Sequence, residues 1–121
     1  MMLVLAVERT DARNEMASQR PGYAYIWEYS VRPECVADFE EAYGPNGPWV
    51  EIFKRARGYV RTELHRDRRN ATRYLTIDYW DSAEAWEAFR TGMSSEFEAI
   101  DARCEGFTLE EREIGRLDPI G

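Results

Sequence analysis

The clearest pattern of hydrophobic and polar positions lies in residues 59–89. Two runs rich in aromatic and β-branched residues are separated by a polar turn at residues 67–72, which is typical of a β-hairpin. The second run ends at Trp80, and Asp81 and Ser82, both good helix N-caps, follow it directly. This stretch therefore predicts two strands joined by a charged hairpin and followed at once by a helix.

The rest of the chain divides into strands and helices on the same criteria. An aromatic-rich strand is predicted over Tyr23–Val31, a helix over residues 33–43, and a second helical piece from Pro48. A further helix over residues 95–104 opens with capping-box spacing, and a polar strand follows at residues 107–117. The order β-α-β-β-α-β predicts an α+β, ferredoxin-like fold, with one antiparallel sheet carrying helices on one face.

Both faces of the predicted sheet carry large apolar side chains, although helices can cover only one of them. On the third strand, the residues of the uncovered face are Leu75, Ile77 and Tyr79. An exposed apolar patch of this kind usually marks an interface. We therefore expect a homodimer in which the open faces of two sheets pack together.

The helix-side face is predicted to line a ligand-binding cleft. Strand alternation places aromatic side chains there, and two more rings flank a Gly/Pro loop at residues 44–48 that would cover the cleft mouth. The candidate ligand-binding residues are Tyr25, Trp27, Tyr29, Tyr43, Trp49 and Trp80. Flat rings with a few hydroxyls suit a planar aromatic ligand. The alternative is that these rings fill a core, and for Trp80 alone core packing is favoured.

Asp78 is the candidate catalytic residue, because it shares the face that otherwise holds Tyr and Trp. A carboxylate buried among rings is unfavourable unless it is paired. It is therefore either a general base with a raised pKa, or a structural carboxylate held by Arg61 or by a tyrosine hydroxyl. The structural role is favoured. Glu28 and Glu63 are interpreted as rim or interface charges.

Composition restricts the function further. The chain has 121 residues, of which 44% are hydrophobic, and this suits one globular domain. Its formal charge of −7 disfavours binding to nucleic acid. Residues 1–22 are interpreted as an N-terminal extension, flexible or mis-started at the first methionine, and residues 23–121 as the domain. The apolar start is too short for a membrane span.

Cysteine and histidine add little chemistry. Cys35 and Cys104 lack metal-binding spacing, and two isolated cysteines without a secretion signal favour reduced thiols in the cytoplasm. His65, the single histidine, lies at the charged end of a strand and is expected to face solvent or a dimer contact. Neither a metal site nor a nucleotide-phosphate loop is predicted, so we expect no cofactor.

The chain resembles the dimeric α/β-barrel superfamily, and within it the antibiotic biosynthesis monooxygenase group. Gly58 and Tyr59 open the second strand, and Trp80, Asp81 and Ser82 end the third before a helix, as in that group. The resemblance implies a homodimeric barrel with a cleft in each subunit between sheet and helices. Some members oxidise polycyclic aromatic substrates without metal or flavin, and others degrade haem.

Haem degradation is not expected here, because the family's first-strand Asn position holds Trp27 and the following helix has no His. Two functions remain. One is a cofactor-independent, monooxygenase-like oxidoreductase acting on a small aromatic or polyketide-like substrate. The other is a non-catalytic, small-ligand-binding or stress-associated dimer. A polar, solvent-connected cleft favours the enzyme, whereas a closed cleft with Asp78 bound to Arg61 favours the binding protein.

Overall fold

Four antiparallel strands form one sheet in the order β2-β3-β1-β4. The structure, a computed structural model, describes residues 21–120. Its strands are β1 (Tyr23–Val31), β2 (Tyr59–Asp67), β3 (Asn70–Trp80) and β4 (Thr108–Leu117). The N-terminal extension was predicted over residues 1–22, and residues 1–20 of it lie outside the described range.

The helices lie on one face of the sheet and follow the predicted order. They are α1 (Val36–Tyr43), α2 (Pro48–Phe53), α3 (Ala83–Gly92) and α4 (Ser94–Cys104). A short 3-10 turn precedes α1, and another lies between α4 and β4. The α+β, ferredoxin-like β-α-β-β-α-β fold is therefore confirmed.

Two local predictions were wrong. The hairpin between β2 and β3 is only Arg68 and Arg69, because Asp67 pairs with Asn70 and its carboxylate accepts the Arg69 N–H at 2.7 Å. The capping box at the start of α4 does not form either. Met93 is both the C-cap of α3 and the N-cap of α4, so α4 starts at Ser94, one residue earlier than predicted, and it has no side-chain cap.

The core is built mainly from rings between the sheet and the helices. Val31, Phe39, Tyr74 and Trp80 are fully buried. Phe39 of α1 lies against the rings of Tyr29, Tyr43 and Tyr74, with centroids 4.3–5.1 Å apart. Apolar burial of this kind provides most of the stability of a small domain.

Gly58 determines how closely β2 approaches α3. Its φ of 95° lies in the left-handed region, which favours glycine. A Cβ at this position would lie 2.6 Å from the Cβ of Ala85, so only hydrogen fits. The close approach brings the start of β2 under the helices.

The opposite face of the sheet carries the residues expected at an interface. Leu75, Ile77 and Tyr79 are half-buried there, and the guanidinium of Arg61 lies 4.2 Å from the centre of the Tyr79 ring. Glu63 pairs with Arg61 at 3.2 Å and with His65 at 3.1 Å. His65 is thus on the solvent side, as expected.

The two cysteines are free thiols, as the sequence indicated. Glu28 pairs with Arg73 and Arg112, each at 2.5 Å, on the same open face. None of the helices in residues 21–120 combines the length and the apolar character needed to cross a membrane.

Candidate active-site cavity

A cavity of about 470 Å³ lies between the sheet and the helices. Its size falls within the range of small-molecule sites, roughly 300–1,000 Å³. Tyr29, Thr76 and Asp78 are buried residues of the sheet and form the cavity floor. Exposed residues such as Asp101 and Arg116 lie at the rim of the cavity. The cavity therefore runs from a polar, buried floor to solvent.

Aromatic rings form most of the cavity wall. Tyr25 and Trp27 come from β1 and meet edge to face with centroids 6.0 Å apart, and Trp86 of α3 lies 4.8 Å from Tyr25. The remaining rings of the wall are Tyr29, Tyr43, Trp49, Phe53 and Phe97. Walls of this kind hold flat apolar ligands by stacking and edge contacts.

Asp78 is the buried carboxyl of the cavity floor. It is 9% exposed, and its Oδ1 accepts a hydrogen bond of 2.7 Å from the hydroxyl of Thr62. Burial raises the pKa of Asp78 to about 7, and the Thr62 hydrogen bond opposes that rise. Asp78 therefore changes its charge near neutral pH, which is the range in which a general base works best.

The prediction that Arg61 could hold the Asp78 carboxylate was wrong. Thr62, not Arg61, lies directly opposite Asp78, whereas Arg61 is paired with Tyr79 and points to the open face. Neighbouring strand residues alternate between faces, so only one of the two could reach Asp78. Among the described residues, Thr62 is the hydrogen-bond partner of the Asp78 carboxyl.

Tyr29 and Thr76 form a second polar pair on the floor. The Tyr29 hydroxyl lies 2.9 Å from Thr76 Oγ1, and both residues are buried. Burial raises the pKa of Tyr29 well above its ordinary value, so this phenol stays neutral. It can hold a polar group of a ligand but does not act as an anionic base.

Charged side chains surround the cavity mouth. Arg116 pairs with Glu113 at 3.2 Å and lies 5.1 Å from the ring centres of both Tyr25 and Trp86. Glu111 also lines the rim, and partial desolvation raises its pKa. The guanidinium of Arg90 lies 3.9 Å from the centre of the Phe97 ring. The mouth therefore carries both signs of charge.

Trp80 is the one proposed ligand-binding residue that does not line the cavity. The other five, Tyr25, Trp27, Tyr29, Tyr43 and Trp49, do. Trp80 is 0% exposed because the rings of Phe53 and Phe89 cover it, with centroids 5.8 and 5.3 Å away. Trp80 therefore acts as a packing residue, and its Nε1 has no hydrogen-bond partner among the described residues.

Several polar residues of the site were not predicted from the sequence, chiefly Thr62, Thr76, Arg90, Glu111 and Arg116. Strand alternation alone places Thr76 beside Asp78 on β3, so that residue could have been found. The β4 residues could not. A bulge between β1 and β4 leaves Ile114 unpaired and brings Glu113 and Arg116 to the same face.

Comparisons with known proteins identify the family of this fold. The family model for antibiotic biosynthesis monooxygenases matches residues 22–102, more than half of the chain. No curated protein sequence matches.

Solved structures share the fold at low sequence identity. One is SnoaB, a cofactor-independent oxygenase from Streptomyces nogalater, with a TM-score of 0.67 and 19% identity over 84% of this chain and 95% of that one. A dimeric ferredoxin-like protein from an uncultured marine organism has a TM-score of 0.63 and 10% identity over 86% and 92%. A protein from Pseudomonas aeruginosa has a TM-score of 0.64 and 16% identity over 85% and 98%.

Proposed function

This chain belongs to the antibiotic biosynthesis monooxygenase family, and from that premise we propose that it is a cofactor-independent monooxygenase. Its substrate is a small aromatic or polyketide-like molecule held between sheet and helices. One observation carries the proposal: a buried carboxyl, Asp78, with a pKa of about 7, lies in the floor of a cavity walled by rings.

The reaction begins with proton transfer from substrate to the Asp78 carboxylate. The acidic group is a C–H whose conjugate base is delocalised over adjoining rings. The resulting carbanion reduces O₂ and forms a C–O bond to it, and the peroxide anion takes the proton back from Asp78 to give a hydroperoxide on the same carbon. The second C–H proton then leaves as the O–O bond breaks, giving a ketone and water. All the electrons that reduce O₂ come from the substrate carbon, so no external reductant is required.

The cavity supports each demand of this reaction. Stacking against Tyr25, Trp27 and Trp86 would hold a planar substrate over the sheet. Burial makes the ionised Asp78 a stronger base than an exposed carboxylate. A positioned general base typically contributes about 10²–10⁴-fold to a rate.

The alternative is a binding protein that holds the same class of ligand without oxidising it. The ring-lined wall suits either function. What favours the enzyme is the partner of Asp78: a neutral hydroxyl, Thr62, rather than the guanidinium of Arg61. A carboxylate fixed by a cation would be a weak base, because the charge pair lowers its pKa.

The protein is further proposed to act as a homodimer. The half-buried apolar side chains of Leu75, Ile77 and Tyr79 supply a face that the helices do not cover. Leu109, Ile114 and Leu117 of the edge strand β4 are also exposed, at 62%, 44% and 48%. Packing two open faces together would remove the side chains of Leu75, Ile77 and Tyr79 from water.

The test uses anthrone, a tricyclic ketone with an acidic CH₂ between two rings, as the probe. Protein treated with chelator and freed of flavin is mixed with anthrone in air. We expect O₂ uptake and a product that has gained one oxygen and lost two hydrogens. Asp78→Asn should lower the rate by about 10² or more.

Asp67→Asn is the matched control, because it makes the same chemical change on β2 at the hairpin end, outside the cavity wall. Its rate should equal that of the wild type. Anthrone binding without O₂ uptake would support the binding protein. Activity lost on removal of metal or flavin would contradict the cofactor-independent reaction.

A further inference from the structure

A bulge at the start of β2 brings two hydroxyls onto the face that carries Asp78. Tyr59 pairs with Trp80 and Arg61 pairs with Tyr79, so Val60 is the extra residue between them. Residues three apart on a regular strand point to opposite faces. The bulge shifts this alternation, and Tyr59 and Thr62 therefore point to the same side.

The two hydroxyls and the carboxyl form a continuous hydrogen-bonded chain. The Tyr59 hydroxyl lies 2.8 Å from Thr62 Oγ1, and Thr62 Oγ1 lies 2.7 Å from Asp78 Oδ1. A threonine hydroxyl has one proton to donate. When Asp78 is ionised that proton goes to the carboxylate, so the Thr62 oxygen accepts from Tyr59.

Tyr59 is held in place by neighbouring rings. Its ring lies 5.6 Å from that of Phe53 and 5.4 Å from that of Trp80, centre to centre. Thr62 and Asp78 line the cavity, but Tyr59 does not. The hydrogen-bonded series thus runs from the packed Tyr59 ring, through Thr62, to the Asp78 carboxyl on the cavity floor.

We infer that Thr62 and Tyr59 are positioning residues for Asp78. The Thr62 hydroxyl, oriented by Tyr59, donates to the carboxylate and favours its ionised, proton-accepting form. Neither residue needs to touch the substrate for this role. The inference rests on the proposed function for its consequence in catalysis, although the positioning itself can be measured without substrate.

Other titratable groups also face the cavity that holds Asp78. They come from β1, α1, α3, α4 and β4, and they are Tyr25, Tyr29, Tyr43, Arg90, Asp101, Glu111, Glu113 and Arg116. The pKa of Asp78 is nevertheless governed by burial, which raises it, and by the Thr62 hydrogen bond, which lowers it. Removing that hydroxyl is therefore the most direct perturbation.

The experiment measures the titration of the Asp78 carboxyl carbon by NMR in the unliganded protein, with the resonance assigned by its absence in Asp78→Asn. Thr62→Val removes the hydroxyl and keeps the shape, and the midpoint should rise by about one to two pH units. Thr62→Ser should restore it. Tyr59→Phe should shift the midpoint in the same direction, but by less.

The anthrone rate should follow these midpoints, so that Thr62→Val needs a higher pH for the same rate. An unchanged midpoint in both Thr62→Val and Tyr59→Phe would overturn the inference. A midpoint that shifts equally in Thr62→Ser and Thr62→Val would also overturn it, because the hydroxyl would then not be the cause. A shifted midpoint in a protein that does not oxidise anthrone would support the positioning role and contradict the proposed function.

Discussion

Replacing Asp78 with asparagine should stabilise the protein at neutral pH while it removes the proposed base. The carboxyl is buried, and its pKa rises from 3.8 to about 7 on folding. The folded protein therefore binds this proton more tightly than the unfolded chain does. As the pH rises from about 4 to about 7, the unfolded chain loses the proton first, and stability falls.

The size of the effect follows from the shift. About three pKa units at 1.36 kcal/mol each correspond to about 4 kcal/mol. Asparagine has the same shape and keeps an oxygen that can accept from Thr62, but it carries no charge to bury. The difference in unfolding free energy, variant minus wild type, should therefore grow by about 4 kcal/mol between pH 3.5 and pH 8.

Urea unfolding at a fixed protein concentration, repeated across this pH range, measures the difference directly. Asp67→Asn is the control of opposite sign. Hydrogen bonds from the Arg69 backbone and from Arg73 hold the pKa of Asp67 below its ordinary value. The ionised Asp67 carboxylate therefore stabilises the fold at neutral pH, and this stabilisation is lost as the pH falls. Asp67→Asn should lower the free energy of unfolding most near neutrality. A difference for Asp78→Asn that stays constant from pH 3.5 to pH 8 would refute the argument.

Three further predictions concern assembly and packing. Ile77→Asp should convert the proposed dimer to monomer in sedimentation at micromolar protein, since a charge would be buried in the sheet interface; an unchanged assembly state would contradict the proposed contact. Gly58→Ala should lower the unfolding free energy by at least about 1–2 kcal/mol in urea, because its φ of 95° disfavours a side chain and the new Cβ would meet Ala85; a stability equal to wild type would contradict this. Deleting residues 1–20 should leave the melting temperature within a few degrees, because after the apolar start of seven residues no apolar position recurs with a helical or strand period; a large drop would indicate that residues 3–7 form an edge strand.

The part of the cavity wall that could be predicted from the sequence follows from the alternation of side chains along each strand. Alternation alone places Tyr25, Trp27 and Tyr29 together on one face of β1, and Thr76 and Asp78 together on one face of β3; the structure places all five in the cavity wall. A strand residue's face depends only on its own neighbours in sequence. The grouping of side chains within each strand therefore needed no knowledge of the tertiary structure.

The remaining part depends on pairing between distant segments. Whether Arg61 or Thr62 reaches Asp78 is decided by the bulge at Val60, which exists only in the register of β2 against β3. Whether Trp80 lines the cavity is decided by the helices, because Phe53 and Phe89 cover it. Neither the register nor the helix packing can be read from local periodicity.

Whether Asp78 is the catalytic base is tested most directly by the pH dependence of anthrone oxidation, followed as O₂ uptake by the wild type and by Asp78→Asn. If Asp78 is the base, kcat/KM of the wild type should rise through an apparent pKa near 7 and then level, because the carboxyl must be ionised to accept a proton. Asp78→Asn should be slower by about 10² or more and should lack this inflection. A wild-type profile without the inflection, or an Asp78→Asn variant that keeps both rate and profile, would show that Asp78 is not the base.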